Sequence, residues 1–163
     1  MHAMVVKKGK GSPSNKARNE TPDLVNNAHY VKDLSFENPG ILKNISMDQV
    51  PDINININVD VTPVGDAVYE VLILTNIKAD SKGESLFLVE LAYGGIFHVN
   101  ADLTDEKKKK LLLVDAPTLL FPFARAVIAN LTREGGLPPL MLNPVDFETL
   151  SQQAVDKSEI AKH

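Results

Sequence analysis

Ile53-Asn54-Ile55-Asn56-Ile57-Asn58-Val59-Asp60-Val61 alternates apolar and polar residues over nine positions without a break. Side chains alternate sides along an extended chain, so this period of two specifies a strand with one buried and one solvated face. Asparagine is a poor strand former, so pairing with neighbours has to impose the geometry. Thr62-Pro63-Val64-Gly65-Asp66 turns the chain. A second strand follows over residues 69–78, with Tyr69, Val71, Ile73, Thr75 and Ile77 on one face. Asp80-Ser81-Lys82-Gly83 makes the next turn, and Glu84 to Val99 forms the strand after it. Short turns between successive strands specify antiparallel pairing.

Upstream, residues 29–37 alternate more weakly. Tyr30, Leu34 and Phe36 share one parity, and Val31, Asp33, Ser35 and Glu37 the other. Residues 38–51 are too long for a tight hairpin, so this segment is expected to cross the sheet. Downstream the period changes. Thr104 is placed to cap a helix with Asp105 and Glu106 in its first turn. Lys107 to Lys110 and Leu111 to Val114 form its body, and Asp115-Ala116-Pro117 is expected to stop it. A second helix is expected over about residues 119–133, with Pro122 near its first turn and Gly135-Gly136 at its end. Leu137-Pro138-Pro139-Leu140 is an extended apolar linker. Residues 145–155 form a short amphipathic helix through Phe147, Leu150 and Ala154. Strands first and helices afterwards make the fold α+β.

The chain has 163 residues, 44% of them hydrophobic, enough for one domain with a real core. Residues 1–27 are read as a disordered tail rich in Lys, Ser, Asn, Gly and Pro, residues 28–155 as the domain, and residues 156–163 as a second tail. A net charge of −4 argues against nucleic acid as a partner, because phosphate contacts need a dense basic face. There is no cysteine, which excludes disulfides and thiolate metal sites. No apolar run has the length or flanks of a signal peptide or a membrane span. The chain is read as cytoplasmic.

Catalytic patterns are missing. His2, His29, His98 and His163 are too scattered to form a ligand set. Gly94-Gly95 follows strand residues but opens no helix and precedes no Lys-Ser/Thr pair, so it marks a bulge or kink and not a phosphate loop. Asp33, Glu37, Glu70, Glu84 and Glu90 lie on strands, mostly toward water. The lysine run 107–110 reads as a solvated helix face.

Several motifs, taken together, are specific. Tyr30-Val31-Lys32-Asp33-Leu34-Ser35-Phe36-Glu37-Asn38-Pro39, Val68-Tyr69-Glu70-Val71, Tyr93-Gly94-Gly95-Ile96-Phe97 and Leu119-Leu120-Phe121-Pro122-Phe123-Ala124-Arg125 occur in this order, followed by residues 135–147 from Gly135-Gly136-Leu137 to Asp146-Phe147. Over about 29–150 the chain resembles SecB, the bacterial protein-export chaperones. The resemblance implies a four-stranded antiparallel sheet with helices on one side, a homotetramer built as a dimer of dimers, and no cofactor. It implies binding of unfolded precursor proteins without ATP, and their delivery to the motor ATPase SecA. Asp33, Glu37, Leu88 and Glu90 match the family's contacts for the basic, zinc-bearing C-terminal tail of SecA. Ile45, Met47, Tyr69, Phe97, Leu119, Phe121 and Phe123 match a client groove between the crossover segment and the second helix. Two departures stand out: there is no tryptophan in the crossover segment, and the first helix carries four lysines where the resemblance implies a dimer–dimer interface. The alternatives are a SecB-like chaperone of a toxin–antitoxin system and, in another class, a small-molecule enzyme such as an acyl-thioester hydrolase, which would need a carboxylate beside a closed pocket.

Overall fold

The computed structural model describes residues 21–42 and 50–160, with side chains as far as residue 154. The expected α+β architecture is present. Four strands, β1 (Leu24–Glu37), β2 (Asp52–Gly65), β3 (Val68–Ser81) and β4 (Glu84–Val99), form one antiparallel sheet in the order β1-β4-β3-β2. Among the described residues the Ile-Asn strand is therefore an edge, paired only with β3. That position explains why Ile53, Ile57, Val59 and Val61 are only half-buried and why Ile55 is 43% exposed. At the β3–β4 hairpin, Lys82 (φ 54°) and Gly83 (φ 80°) both take the left-handed conformation. A two-residue loop with both residues at positive φ matches the right-handed twist of the flanking strands. β1 and β2 are opposite edges, so the chain between them has to pass from one side of the sheet to the other.

β1 departs from its sequence reading in two ways. It begins at Leu24, so residues 24–26, read as tail, pair with β4 (Leu24 opposite Val99, Val25 opposite His98). Two irregularities interrupt its register, between Asn26 and Ala28 and between Val31 and Asp33. One extra residue in a strand reverses the parity of everything beyond it. Val31, opposite Tyr93, therefore shares a face with Leu34 and Phe36, and Tyr30, opposite Gly94, shares a face with Asp33. The simple alternation had paired them the other way round.

One face of the sheet is covered. Val71, Ile73, Ile77, Val89, Leu91 and Phe97 are at most 3% exposed beneath Leu120, Ala124 and Ile128 of the helical layer. That layer corrects a second expectation. Pro117 does not stop the first helix: α1 (Asp105–Lys110), a wide turn over Leu111–Asp115 and α2 (Ala116–Glu134) run on as one rod. In the wide turn the Ala116 N–H bonds the Leu111 carbonyl five residues back, an i→i+5 geometry. The loosened turn accommodates Pro117, which has no N–H to donate. Pro122 lies inside α2, not in a first turn. The rod spans 30 residues with a window of mean hydropathy 1.7, long and apolar enough by length and composition to cross a bilayer, where the sequence reading expected no such run. In this fold Leu112, Ala116, Leu120, Ala124 and Ile128 of the rod are buried.

Both caps of the rod follow the sequence. The Thr104 hydroxyl accepts from the Lys107 N–H at 3.4 Å. At the other end Leu137 N–H donates to Thr132 O (3.1 Å) and Gly136 N–H to Arg133 O (3.0 Å), with Gly136 at φ 77°. This pair of bonds closes a helix with a left-handed residue. The Thr132 hydroxyl then accepts the Leu140 N–H at 2.9 Å, tying the proline-rich linker back to α2. α3 (Phe147–Ile160) is longer than expected and runs through residues read as tail. Asp146 caps it, accepting from the Thr149 N–H and hydroxyl at 3.1 and 2.8 Å. Those two bonds hold the Asp146 carboxyl below its usual range. Phe147 packs edge-on against Phe121 at 5.9 Å.

Candidate functional site: the open face of the sheet

Among the described residues the helices cover one side only, so the alternate residues of every strand are left on an open face. The register decides what meets there. Glu37 is opposite Leu88, Ser35 opposite Glu90 and Asp33 opposite Ala92. On the other side of β4, Asn76 is opposite Glu90 and Lys78 opposite Leu88. Asp33 and Glu37 are therefore the two diagonal neighbours of Glu90, at a spacing of roughly 7–8 Å in an antiparallel ladder. The structure thus brings Asp33, Glu37, Leu88 and Glu90 together as one patch. The three carboxylates are exposed and Leu88 is half-buried.

The cations nearby are engaged elsewhere. Lys32, at the bulge, donates to Glu70 across β4, and Glu70 holds the Lys32 ammonium above its usual pKa. Lys78 pairs with Asp80 at 3.2 Å. Among the described residues Asp33, Glu37 and Glu90 have no cationic partner. Like charges about 8 Å apart repel by roughly 0.5 kcal/mol even in a water-like dielectric. A cationic ligand would convert that repulsion into attraction.

The rest of the open face is mixed. Leu72, Leu74, Ala92 and Ile96 are half-buried, beside the row Asn54, Asn56, Asn58 and Asn76. The Tyr30 ring lies over Gly94, where an added Cβ would sit 3.0 Å from that ring and 2.8 Å from Leu72. Burial, and then the charge of Glu70, raise the Tyr30 hydroxyl above its ordinary pKa.

The residues expected to line a client groove fall into three groups. Leu119 and Phe123, one turn apart on α2, are 53% and 47% exposed. They lie beside β1, where Val31 and Leu34 are 44% and 39% exposed. His29 stacks on Phe123 (centroids 4.2 Å) and shares a 2.6 Å hydrogen bond with the Tyr93 hydroxyl, whose pKa burial raises. Tyr69 is half-buried opposite Phe97. Phe97 and Phe121 are in the core, 0% and 7% exposed, and offer no surface to a ligand of this chain. Their parity and helical position suit a core and a groove equally, and only packing separates the two. Ile45 and Met47 lie outside the described residues. The His29–Phe123 stack escaped the sequence reading because the two residues are far apart in the chain. The only signal for it was His29 beginning a strand.

An open cleft of about 580 Å³ between α1 and α3 is lined by Thr104, Lys107, Lys110, Val114, Glu148 and Ser151, among others. It is open to solvent and edged by lysines and by Glu148, so it is not the closed pocket that an acyl-thioester hydrolase needs. No group of three or more metal-ligating side chains occurs among the described residues.

Comparison with known proteins agrees with this geometry. The family described as Preprotein translocase subunit SecB matches residues 17–158. The chain is 44% identical over 138 residues to the Protein-export protein SecB of Bartonella bacilliformis, covering 84% of this chain and 86% of that protein. It is 45% identical over 141 residues to that of Mesorhizobium japonicum (86% and 84% covered) and 44% identical over 152 residues to that of Rhodopseudomonas palustris strain TIE-1 (93% and 94%). Among solved structures, a Mycobacterium tuberculosis SecB-like chaperone in complex with a peptide of the HigA1 antitoxin superposes with a TM-score of 0.57 at 16% identity, covering 76% of this chain and 91% of that one. At that identity the likeness concerns the fold.

Proposed function

This chain belongs to the SecB family of protein-export chaperones, and from that premise we propose that it holds unfolded precursor proteins without ATP and delivers them to SecA. The observation that carries the delivery half is the register that groups Asp33, Glu37, Leu88 and Glu90 on a face that, among the described residues, is uncovered and offers them no cationic partner. Such a patch suits a basic peptide with one apolar contact, as the C-terminal tail of SecA supplies. The holding half uses the apolar strip of Leu119 and Phe123 with Tyr69, joined by the crossover residues Ile45 and Met47. Phe97 and Phe121 support it from beneath. Apolar burial returns roughly 25 cal/mol per Å² and is non-directional, so such a strip accepts many sequences. The same reading includes a cytoplasmic homotetramer, a dimer of dimers, in which the two open edges β1 and β2 are where a further strand can add. It assigns no enzymatic step to the chain.

The test separates the two surfaces. Glu90→Lys is expected to weaken binding of a zinc-loaded SecA-tail peptide at least tenfold in calorimetry. It should leave suppression of aggregation of a denatured precursor, without ATP, within twofold of the parent. If Glu90→Lys altered precursor holding and not peptide binding, the two surfaces would be wrongly assigned. Native mass spectrometry with and without precursor checks the assembly: a tetramer gaining one precursor supports the reading, and a monomer that ignores it defeats it. Service to an antitoxin is the second reading. It draws on a fold likeness alone, whereas the export proteins are related at 44–45% identity.

A further inference from the structure

The open face has a second suitor within the chain itself. Residues 1–20 carry Lys7, Lys8, Lys10, Lys16 and Arg18 against a single acid, Glu20, and Val5-Val6 directly precede the first lysines. We propose that this basic segment docks on the open face of its own chain, over Asp33, Glu37, Leu88 and Glu90, and competes there with the SecA tail. The competition rests on the proposed function of that face; the docking itself does not.

Three observations support it. The first is charge: the three carboxylates lack a cation among the described residues, and the segment carries five cations against one acid in a chain that is acidic as a whole. The second is apolar complementarity: Leu88 stands among the carboxylates as Val5-Val6 stand beside the lysines. The third is reach. The segment joins the fold at Thr21-Pro22-Asp23, where Asp23 forms a bend and its carbonyl accepts the Asn100 N–H at 3.0 Å. From Leu24 to Asp33 and Glu37 the strand covers about 30 and 43 Å at roughly 3.3 Å per residue. A chain folded back from the bend brings Lys10, Lys8 and Lys7 about 36–50 Å from Thr21 when extended. That is level with the carboxylates. A segment tethered this closely acts at an effective concentration on the order of millimolar, so a weak contact suffices, and salt screens it.

The absence of cysteine makes the test direct. A nitroxide on Ser12→Cys of the full-length chain is expected to broaden the amides of Ser35, Glu37, Leu88 and Glu90 at low salt. The broadening should recede at high salt and vanish when Asp33→Asn, Glu37→Gln and Glu90→Gln are combined. Absence of broadening at those amides, or broadening over the helical layer instead, overturns the docking. So does broadening that appears only on isotope-labelled chains mixed with spin-labelled ones, which would mean that another copy supplies the segment. For the competition, Lys7→Gln, Lys8→Gln and Lys10→Gln together should tighten SecA-tail peptide binding threefold or more at low salt, with affinities converging at high salt, because freeing an occupied site raises its competent fraction. Equal affinities would refute the competition. If Glu90→Lys fails to weaken peptide binding while the broadening persists, the SecA assignment falls and the docking stands.

Discussion

The two faces of this sheet are made by the same four strands and differ sharply in what they bury. On the covered face Val71, Ile73 and Ile77 of β3 and Val89, Leu91 and Phe97 of β4 are shut off from solvent. One residue after those of β3 and one before those of β4, the open face shows Leu72, Leu74 and Lys78 beside Leu88, Glu90 and Ile96, all half-buried or exposed. Apolar burial is concentrated on the first face, and the SecA contact proposed for Asp33, Glu37, Leu88 and Glu90 falls on the second. Substitutions on the two faces are therefore expected to be separable.

The sharpest test sets one residue from each face against the other. Ile73→Ala removes a fully buried side chain and is expected to cost about 2–5 kcal/mol in urea unfolding. Leu88→Ala, on the open face, should cost about 1 kcal/mol or less. Equal losses would mean that the open face is covered in solution. A subtler pair is Gly94 and Gly95, neighbours pointing to opposite faces. A Cβ on Gly95 would sit 2.7 Å from Phe97 and 2.8 Å from Leu120, both fully buried. Gly95→Ala should cost about 1–3 kcal/mol by overpacking. Gly94→Ala meets Tyr30 and Leu72, half-buried side chains with room to swing, and is expected to lose less than half as much in the same assay.

Thr75 sharpens the contrast from within the covered face. It is 1% exposed between Ile57 and Leu91, and its hydroxyl has no hydrogen-bond partner among the described residues. Thr75→Val keeps the shape and removes the unsatisfied group, so a gain of about 1 kcal/mol is expected. A loss would reveal a partner for the hydroxyl. The smallest effect concerns the outer layer on the covered side. Hydrogen bonds from Thr149 hold Asp146 below the ordinary carboxylate value. A depressed folded-state pKa gives stability that is full above the unfolded value, near 3.9, and is lost as pH falls through the folded one. Amide exchange in α3 should therefore quicken below about pH 4, and Asp146→Asn should flatten that dependence while the sheet amides stay unchanged.

Much of this was legible in the sequence because period and turn chemistry are local. The Ile-Asn alternation, Lys82-Gly83, the Thr104 cap and Gly135-Gly136 each specify their own backbone. The grouping of Asp33 with Glu37 was readable from parity within β1. Its union with Leu88 and Glu90 depended on register and came from the resemblance. What could not be read depends on partners remote in sequence. The bulge after Val31 is set by pairing with β4, and it moved Tyr30 and Val31 to faces that simple alternation had denied them. Phe97 and Phe121 could be assigned to the core only once Leu120 and Phe147 were in place. The continuation through Pro117 depended on a wide turn that propensity gives no reason to expect.

That wide turn affects the whole rod. Buried side chains recur every four residues along it, at Leu112, Ala116, Leu120, Ala124, Ile128 and Thr132. On a helix of 3.6 residues per turn such a ladder drifts by about 40° per step and would spiral off the sheet. One slack turn near its start takes back part of that drift, as a leap day keeps a calendar in step with the sun. Deleting a single residue from Leu111–Asp115 would restore an ordinary helix there. The later side chains of the rod would keep their phase over the sheet, because four residues of ordinary helix turn through about the same angle as five residues of the wide turn.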